Sequence, residues 1–150
     1  MPIKSFRAKI ADNTTDTIVL HTNDGSTGYK ITKFEIMGID GNTNIEGVMK
    51  IYSIPQTTET TDIDFSDNTL LAAAIIKNTT SASILLFPTV IFDNMIFNQD
   101  IYVTFKCHDN SAPANYHLEL ETMKLDLSEN TVATLKDIRN IEAQWANNII

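Results

Sequence analysis

The residues with the greatest chemical potential in this sequence are its single cysteine and the histidine that follows it. Catalysis by cysteine requires a thiolate activated by a nearby base, and Cys107 directly precedes His108. Neighbouring residues on a strand point to opposite faces, so these two side chains can meet only if the strand has already ended. The sequence therefore favours a structural cysteine over a catalytic one, and we predict that the chain is not an enzyme.

A row of polar side chains with the spacing of metal ligands lies near residue 120. His117, Glu119 and Glu121 alternate with apolar residues and share one face of a predicted strand. This geometry permits a metal site, yet polar residues opposite an apolar face also form the ordinary solvated side of an antiparallel sheet. We favour the solvated face, because His21 and His108 have no evident reason to converge on the row.

Two acidic segments are candidates for calcium binding. The first contains Asp40, Asn42, Asn44 and Glu46, and the second contains Asp62, Asp64 and Asp67. The first resembles a fragment of a calcium loop but lacks the bidentate glutamate at the twelfth loop position, and neither segment completes a coordination shell. Since the sequence also has no phosphate-binding glycine-rich loop and no His-Glu-x-x-His motif, we predict that no metal or cofactor is needed.

Composition limits the class of protein and of partner. The 150 residues are 43% hydrophobic and 20% charged, which is the range of one folded domain. A formal net charge of −8 disfavours nucleic acids and acidic membranes as partners. One cysteine excludes an internal disulfide framework. Because the N-terminus lacks a secretory h-region and the longest apolar run, 70–76, is too short to cross a bilayer, we expect synthesis in the cytoplasm.

Short β-strands are the elements that must position these residues. Alternating or β-rich apolar patterns predict strands at 6–10, 17–21, 29–39, 45–54, 84–87, 89–92, 101–106 and 116–125. The period of two breaks once between Ile31 and Phe34, which predicts a β-bulge. The turn residues at 23–25 and 40–44 predict two hairpins between consecutive strands.

Three other segments depart from this strand pattern. Residues 56–64 are rich in threonine and acid and predict an exposed loop. Residues 70–76 contain three alanines, which favour a short helix. From 131 to 147 the apolar residues recur at spacings of three and four, which predicts an amphipathic helix after a capping box at Asp126 and Glu129.

About eight strands and one terminal helix predict a mainly β fold. We expect an antiparallel β-sandwich over 1–127, with a jelly roll as one candidate arrangement, and a C-terminal helix and tail over 128–150 within the same domain. The apolar end of that helix and tail could pack on the chain's own sheet or on a neighbouring subunit. The candidate residues for a subunit contact are Ile138, Ile141, Trp145, Ile149 and Ile150.

The segments 96–104 (IFNQDIYVT), 115–125 (NYHLELETMKL) and 131–139 (TVATLKDIR) carry a family resemblance. Together they resemble small virion structural proteins of marine tailed bacteriophages, including those that infect cyanobacteria. The resemblance spans 92–139, consists of recurring phrases and carries over no functional residue. It implies a location in the virion and contacts with copies of the chain and with other virion proteins, such as the major capsid protein or a neck or tail protein.

Two functions are expected from these observations. The first is a non-enzymatic structural protein, most simply a capsid decoration (cement) protein or another accessory subunit of the head, neck or tail. The alternative is a β-sandwich module that binds a glycan or another ligand. A glycan module normally presents exposed aromatic side chains, whereas Trp145 belongs to the helical stripe and most Phe and Tyr residues fall inside strand patterns.

Overall fold

The described part of the computed structural model consists of residues 2–40, 44–78, 89–108, 111–126 and 134, and it is mainly β. Its strands are β1 (Ile3–Ile10), β2 (Thr14–Ile18), β3 (Thr27–Gly38), β4 (Ile45–Tyr52), β5 (Leu70–Asn78), β6 (Thr89–Phe92), β7 (Ile101–Cys107) and β8 (Ala114–Lys124). The predicted strand at 84–87 lies outside the described residues. So does the predicted C-terminal helix, apart from Thr134.

The strands form two antiparallel sheets. The three-stranded sheet has the order β1-β8-β3, and the five-stranded sheet has the order β2-β7-β4-β5-β6. The chain alternates between them, because β1 and β3 belong to the first sheet while β2 and β4 belong to the second. In both sheets a strand from the C-terminal part of the chain separates two strands from the N-terminal part.

One hydrophobic core joins the two sheets. The alternation of apolar residues in each strand directs one face of the sheet toward this core. The three-stranded sheet contributes Ile31, Phe34, Leu118 and Leu120, and the five-stranded sheet contributes Met49, Ile51, Val103 and Phe105. All eight of these side chains are buried, so the sheets stabilise each other through shared apolar contacts.

The predicted positions of most strands are confirmed, and so is the bulge. The register between β3 and β8 shifts between Ile31 and Lys33, at the place where the apolar pattern changes phase. The extra residue restores the inward orientation of Phe34, which pairs with the buried Leu118. Alternation was therefore a sufficient signal for both the strand and its irregularity.

Both predicted hairpins are wrong. The turn at 23–25 leads from β2 in one sheet to β3 in the other, and the turn near residue 40 leads from β3 to β4 across the same gap. β3 pairs with β8, and β4 pairs with β5 and β7. Turn-forming residues reverse the chain locally, but burial of two apolar faces decides which strands then pair.

The predicted short helix at 70–76 is also wrong, because this segment lies in β5. β5 pairs with β4 on one side and with β6 on the other. Ala72 and Ala74 face the shared core and are almost fully buried. The helix propensity of alanine is a few tenths of a kcal/mol per residue, which the pairing of both strand edges overrides.

A close approach between backbone and ring makes Gly47 necessary in β4. A Cβ atom at this position would lie 2.8 Å from Cε1 of Phe105 and 2.9 Å from the carbonyl oxygen of Lys106. The second atom belongs to the backbone of the paired strand β7, so it cannot move aside as the end of a side chain can. Glycine therefore allows the buried ring of Phe105 to pack against β4.

We expect Gly47→Ala to lower the free energy of unfolding by about 1–3 kcal/mol through this overpacking. The measurement is urea denaturation of the purified protein. Gly38→Ala is the matched control, because a Cβ there would meet its nearest atom, the carbonyl oxygen of Asp40, at an ordinary 3.5 Å. Equal stability of the two variants would contradict the close approach.

Candidate functional site

The thiol of Cys107 and the ring of His108 lie in different environments. Cys107 ends β7 with its side chain in the hydrophobic core, and its backbone N–H donates a 2.6 Å hydrogen bond to Oδ1 of Asp12. His108 is exposed, and its backbone N–H donates to the carbonyl oxygen of Glu46. The cysteine therefore occupies a packing position, and the geometry supports the structural interpretation made from the sequence.

The row of His117, Glu119 and Glu121 lies on the outer face of β8. His117 stands between Arg7 on β1 and Glu35 on β3, and Glu119 stands opposite Lys33 on β3. Glu121 forms an ion pair with Lys30, with Nζ and Oε2 3.6 Å apart. Cross-strand pairs of opposite charge are the ordinary arrangement of a solvated sheet face. Within the described ranges, no group of three or more His, Cys, Asp or Glu residues is placed to hold a metal ion.

The second acidic segment forms turns. Oδ1 of Asp64 accepts a 2.9 Å hydrogen bond from the backbone N–H of Ser66, and Oδ1 of Asp67 accepts an equal one from Thr69. Hydrogen bonds from the side chain and backbone of Ser66 lower the pKa of Asp64. These are Asx turns, in which the carboxylate substitutes for a backbone acceptor. In the first acidic segment, Asn42 lies outside the described residues, so the expectation that this segment binds no calcium stays a prediction.

The acidic segment has a role that the sequence analysis missed: it covers a buried lysine. Lys50 lies on the face of β4 opposite the core, yet its side chain is only 2% exposed. Its Nζ donates hydrogen bonds to Oγ1 of Thr60 at 3.0 Å and to the carbonyl oxygen of Asp62 at 2.6 Å. A further contact, from Oγ1 of Thr15 to Oε1 of Glu59, ties the loop to β2. The residues of this loop are mostly exposed as predicted, but they bury the part of the outer face around Lys50.

Electrostatics around Lys50 reflect this burial. Desolvation lowers the pKa of the Lys50 amine, while the negative charges of Asp62 and Asp67 act in the opposite direction. The amine lies 5.5 Å from the centre of the Tyr52 ring. Burial, with the carboxylates of Asp67 and Asp64, raises the pKa of Tyr52 to about 12, so this phenol keeps its proton at neutral pH. The cluster holds a loop in place.

We expect Lys50→Met to leave the free energy of unfolding unchanged or slightly raised while it releases the loop. Methionine removes the cost of burying a charge and fills a similar volume. It cannot bond to Thr60 or Asp62, but both residues are exposed, so their oxygens can bond to water once the loop is released. Hydrogen–deuterium exchange should therefore accelerate at 55–66 and stay constant in β4. Thr60→Val, which removes only one acceptor, is the control with an intermediate effect. A loss of several kcal/mol would show instead that the amine supports the whole sheet.

A second polar pair joins two connections between strands. Oδ1 of Asp100 lies 2.7 Å from Nδ1 of His21 and accepts hydrogen bonds from the backbone N–H groups of Leu20 and His21, at 2.8 and 3.0 Å. Desolvation raises the pKa of Asp100, but the hydrogen bonds from His21 and Leu20 outweigh it, and the net pKa is lowered. Within the described residues, no hydroxyl or thiol bonds to His21, so the pair lacks the nucleophile of a catalytic triad.

Asp100→Ala should lower the free energy of unfolding at pH 7 by about 1–2 kcal/mol, because two backbone donors lose their acceptor. Asp100→Asn keeps an oxygen acceptor and should lose less. Since the folded-state pKa of Asp100 lies below the unfolded value, its charge stabilises the fold above about pH 4 and ceases to do so as the pH falls through the folded value. Chemical denaturation at pH 7 and pH 3 should show the wild type approaching Asp100→Asn at the lower pH. A constant difference would exclude a role for the charge.

Two exposed surfaces with apolar centres remain after these structural roles are assigned. The first, the β6 patch, consists of Phe65, Ile91 and Phe92, which line a concavity of about 690 Å³. Phe65 is 68% exposed and Ile91 is 51% exposed. Phe65 lies outside every predicted and observed strand, and it is one of the few aromatic side chains that the described residues expose. This patch is the kind of surface that marks a binding site.

The second surface, the β1 face, lies at one end of the three-stranded sheet. It consists of Arg7, Lys9 and Met37, which border a concavity of about 780 Å³. Met37 is 71% exposed. Lys9 and Met37 flank Asn115 in the paired register, so the cation and the apolar side chain lie on the same outer face. The surface combines exposed apolar area with positive charge.

Comparison with known proteins adds no relative to these observations. No protein-family model matches the chain, and the search of curated proteins returned no match. None of the helices in the described ranges is long and apolar enough for a membrane span.

Proposed function

We propose that this chain is a non-enzymatic structural subunit of a tailed-bacteriophage virion. Within the particle it acts as a capsid decoration (cement) protein or as another accessory subunit of the head, neck or tail. Its partners are copies of itself and other virion proteins, and it is made in the host cytoplasm. The observation that carries the proposal is the β6 patch, because large apolar side chains held in water are stabilised when a protein partner covers them.

The roles of the polar residues support the same proposal. Lys50 and Asp67 hold a loop, Asp100 joins two connections, and Cys107 packs in the core. These four groups are each engaged in maintaining the fold. The described residues expose apolar and charged surfaces, and surfaces of this kind bind other proteins.

We also propose that the two sheets form a β-sandwich of jelly-roll type. The pairings are nested along the chain, since β1 pairs with β8, β2 with β7, and β4 with β5. The nested order leaves β3 to pair with the segment between β5 and β7. Two backbone hydrogen bonds join Tyr29 of β3 to Phe97, which lies in that segment between β6 and β7. Nested antiparallel pairs of this kind are what a long hairpin makes when it rolls into two sheets.

A second candidate function is the binding of a glycan or another ligand at the β6 patch. The concavity places Phe65 and Phe92 beside Asp67, Asn68 and Asp93. Exposed aromatic rings next to carboxylates and an amide are the combination with which sugar-binding surfaces provide stacking and hydrogen bonds. This candidate predicts that an isolated monomer binds carbohydrate, whereas the structural proposal predicts binding to protein.

Imaging of purified phage particles at side-chain resolution tests the main proposal. The expected result is density for this chain in contact with other virion proteins. A glycan array probed with the purified protein tests the alternative. Particles that lack the chain, together with carbohydrate binding by the monomer, would refute the structural proposal in favour of the ligand-binding one.

The proposal assigns the C-terminal helix and tail a part in assembly. Ile138, Ile141 and Trp145 lead to the terminal Ile149 and Ile150. Ile149 and Ile150 extend the apolar set of the predicted helix, and apolar side chains gathered in one segment are stabilised when a neighbouring subunit covers them. Thr134, whose Oγ1 accepts a 3.0 Å hydrogen bond from Nδ2 of the buried Asn98, anchors the chain at the start of this region.

Deleting 148–150 and, separately, substituting Trp145→Ala should weaken assembly or particle binding more than folding. Co-sedimentation with particles that lack the chain measures binding, and thermal unfolding measures folding. Asn147→Ala is the control, since it alters the same segment without removing an apolar side chain. If the first two variants bind at the wild-type level, or simply unfold, the apolar positions serve only the chain's own core.

A further inference from the structure

The β6 patch and the β1 face carry opposite local charges. Asp67 and Asp93 line the concavity of the β6 patch, and no Lys or Arg is among its described lining residues. The β1 face presents Arg7 and Lys9, and neither forms an ion pair with another described residue. Glu35, which borders the same concavity, is already paired with Lys33 at 3.6 Å. One surface is therefore apolar and acidic, and the other is apolar and basic.

The net charge of the chain constrains how two copies can meet. At −8, copies repel each other over most relative orientations. A β6 patch placed on the β6 patch of another copy would bring Asp67 and Asp93 toward their own equivalents, and juxtaposed like charges disfavour an interface. A contact in which an acidic surface meets a basic one avoids this repulsion, and both surfaces lose exposed apolar area in it.

We infer that the β6 patch of one copy binds the β1 face of a second copy of this chain. Phe65 and Ile91 then cover Met37, while Asp93 faces Arg7 and Lys9. Apolar burial supplies the affinity, and charge complementarity selects the orientation. This inference rests on the proposed function of the chain as an assembling subunit, and it specifies which surfaces make the contact between copies.

The test is the self-association of the purified full-length protein, measured by sedimentation velocity over a concentration series. Ile91→Asp on the β6 patch and Lys9→Glu on the β1 face should each weaken association by at least about tenfold. Val19→Asp and Lys124→Glu are the matched controls. Val19 is exposed and follows β2, at the edge of the five-stranded sheet opposite β6, and Lys124 is an exposed lysine at the far end of β8. Both controls should associate like the wild type.

Exchanging the charges of the two surfaces distinguishes this specific contact from a nonspecific effect of the substitutions on association. Asp93→Lys alone should weaken association, because the new lysine meets Arg7 and Lys9 of the neighbouring copy. Combining it with Arg7→Glu and Lys9→Glu should restore association, since the charges are then exchanged across the same contact. Thermal unfolding of every variant verifies that each one folds.

Three results would overturn the inference. They are association of Lys9→Glu at the wild-type level, failure of the folded charge-exchange variant to recover, and a wild type that stays monomeric at millimolar concentration. All three results concern self-association alone. The proposed function is tested separately, by co-sedimentation of the protein with phage particles. A monomer that binds particles would thus refute the contact between copies and leave the structural role in place.

Discussion

The three-stranded sheet depends on β8 lying between β1 and β3. These two strands do not pair with each other, and every backbone ladder in that sheet passes through β8. β7 has the same position between β2 and β4 in the five-stranded sheet. The N-terminal half of the chain therefore cannot complete either sheet until residues beyond 100 arrive, which places the fold among the non-local topologies that assemble slowly.

The packing of the two sheets against each other explains why small residues stand at several positions of β4 and β5. Ala72 and Ala74 of β5 are buried in the shared core, and Gly47 admits the ring of Phe105. The part of the outer face of the five-stranded sheet around Lys50 is buried by a different means, since an acidic loop lies over it and is held by the amine of Lys50.

Several polar side chains of the described residues, among them Lys50, Asp67 and Asp100, bond to the chain's own loops and turns. The β6 patch and the β1 face differ in charge on a chain whose total charge is strongly negative. The proposed contact between them would let copies of an acidic protein associate without a metal or a disulfide. It would also cover the exposed side chains of Phe65, Ile91 and Met37.

The sequence by itself determined that the chain is mainly β, where most strands lie and that β3 carries a bulge, because the alternation of side chains across a strand is a local property. Only the tertiary structure decided which strands pair. The turns after β2 and β3 predicted hairpins, but burial of two apolar faces directs each turn from one sheet to the other. The tertiary structure also places the alanines of β5 in a strand. It brings the amine of Lys50 to its partners among residues 60–62, and it brings Asp100 to His21. These contacts join residues 10 to 80 positions apart, and patterns among sequence neighbours carry no information about such distant partners.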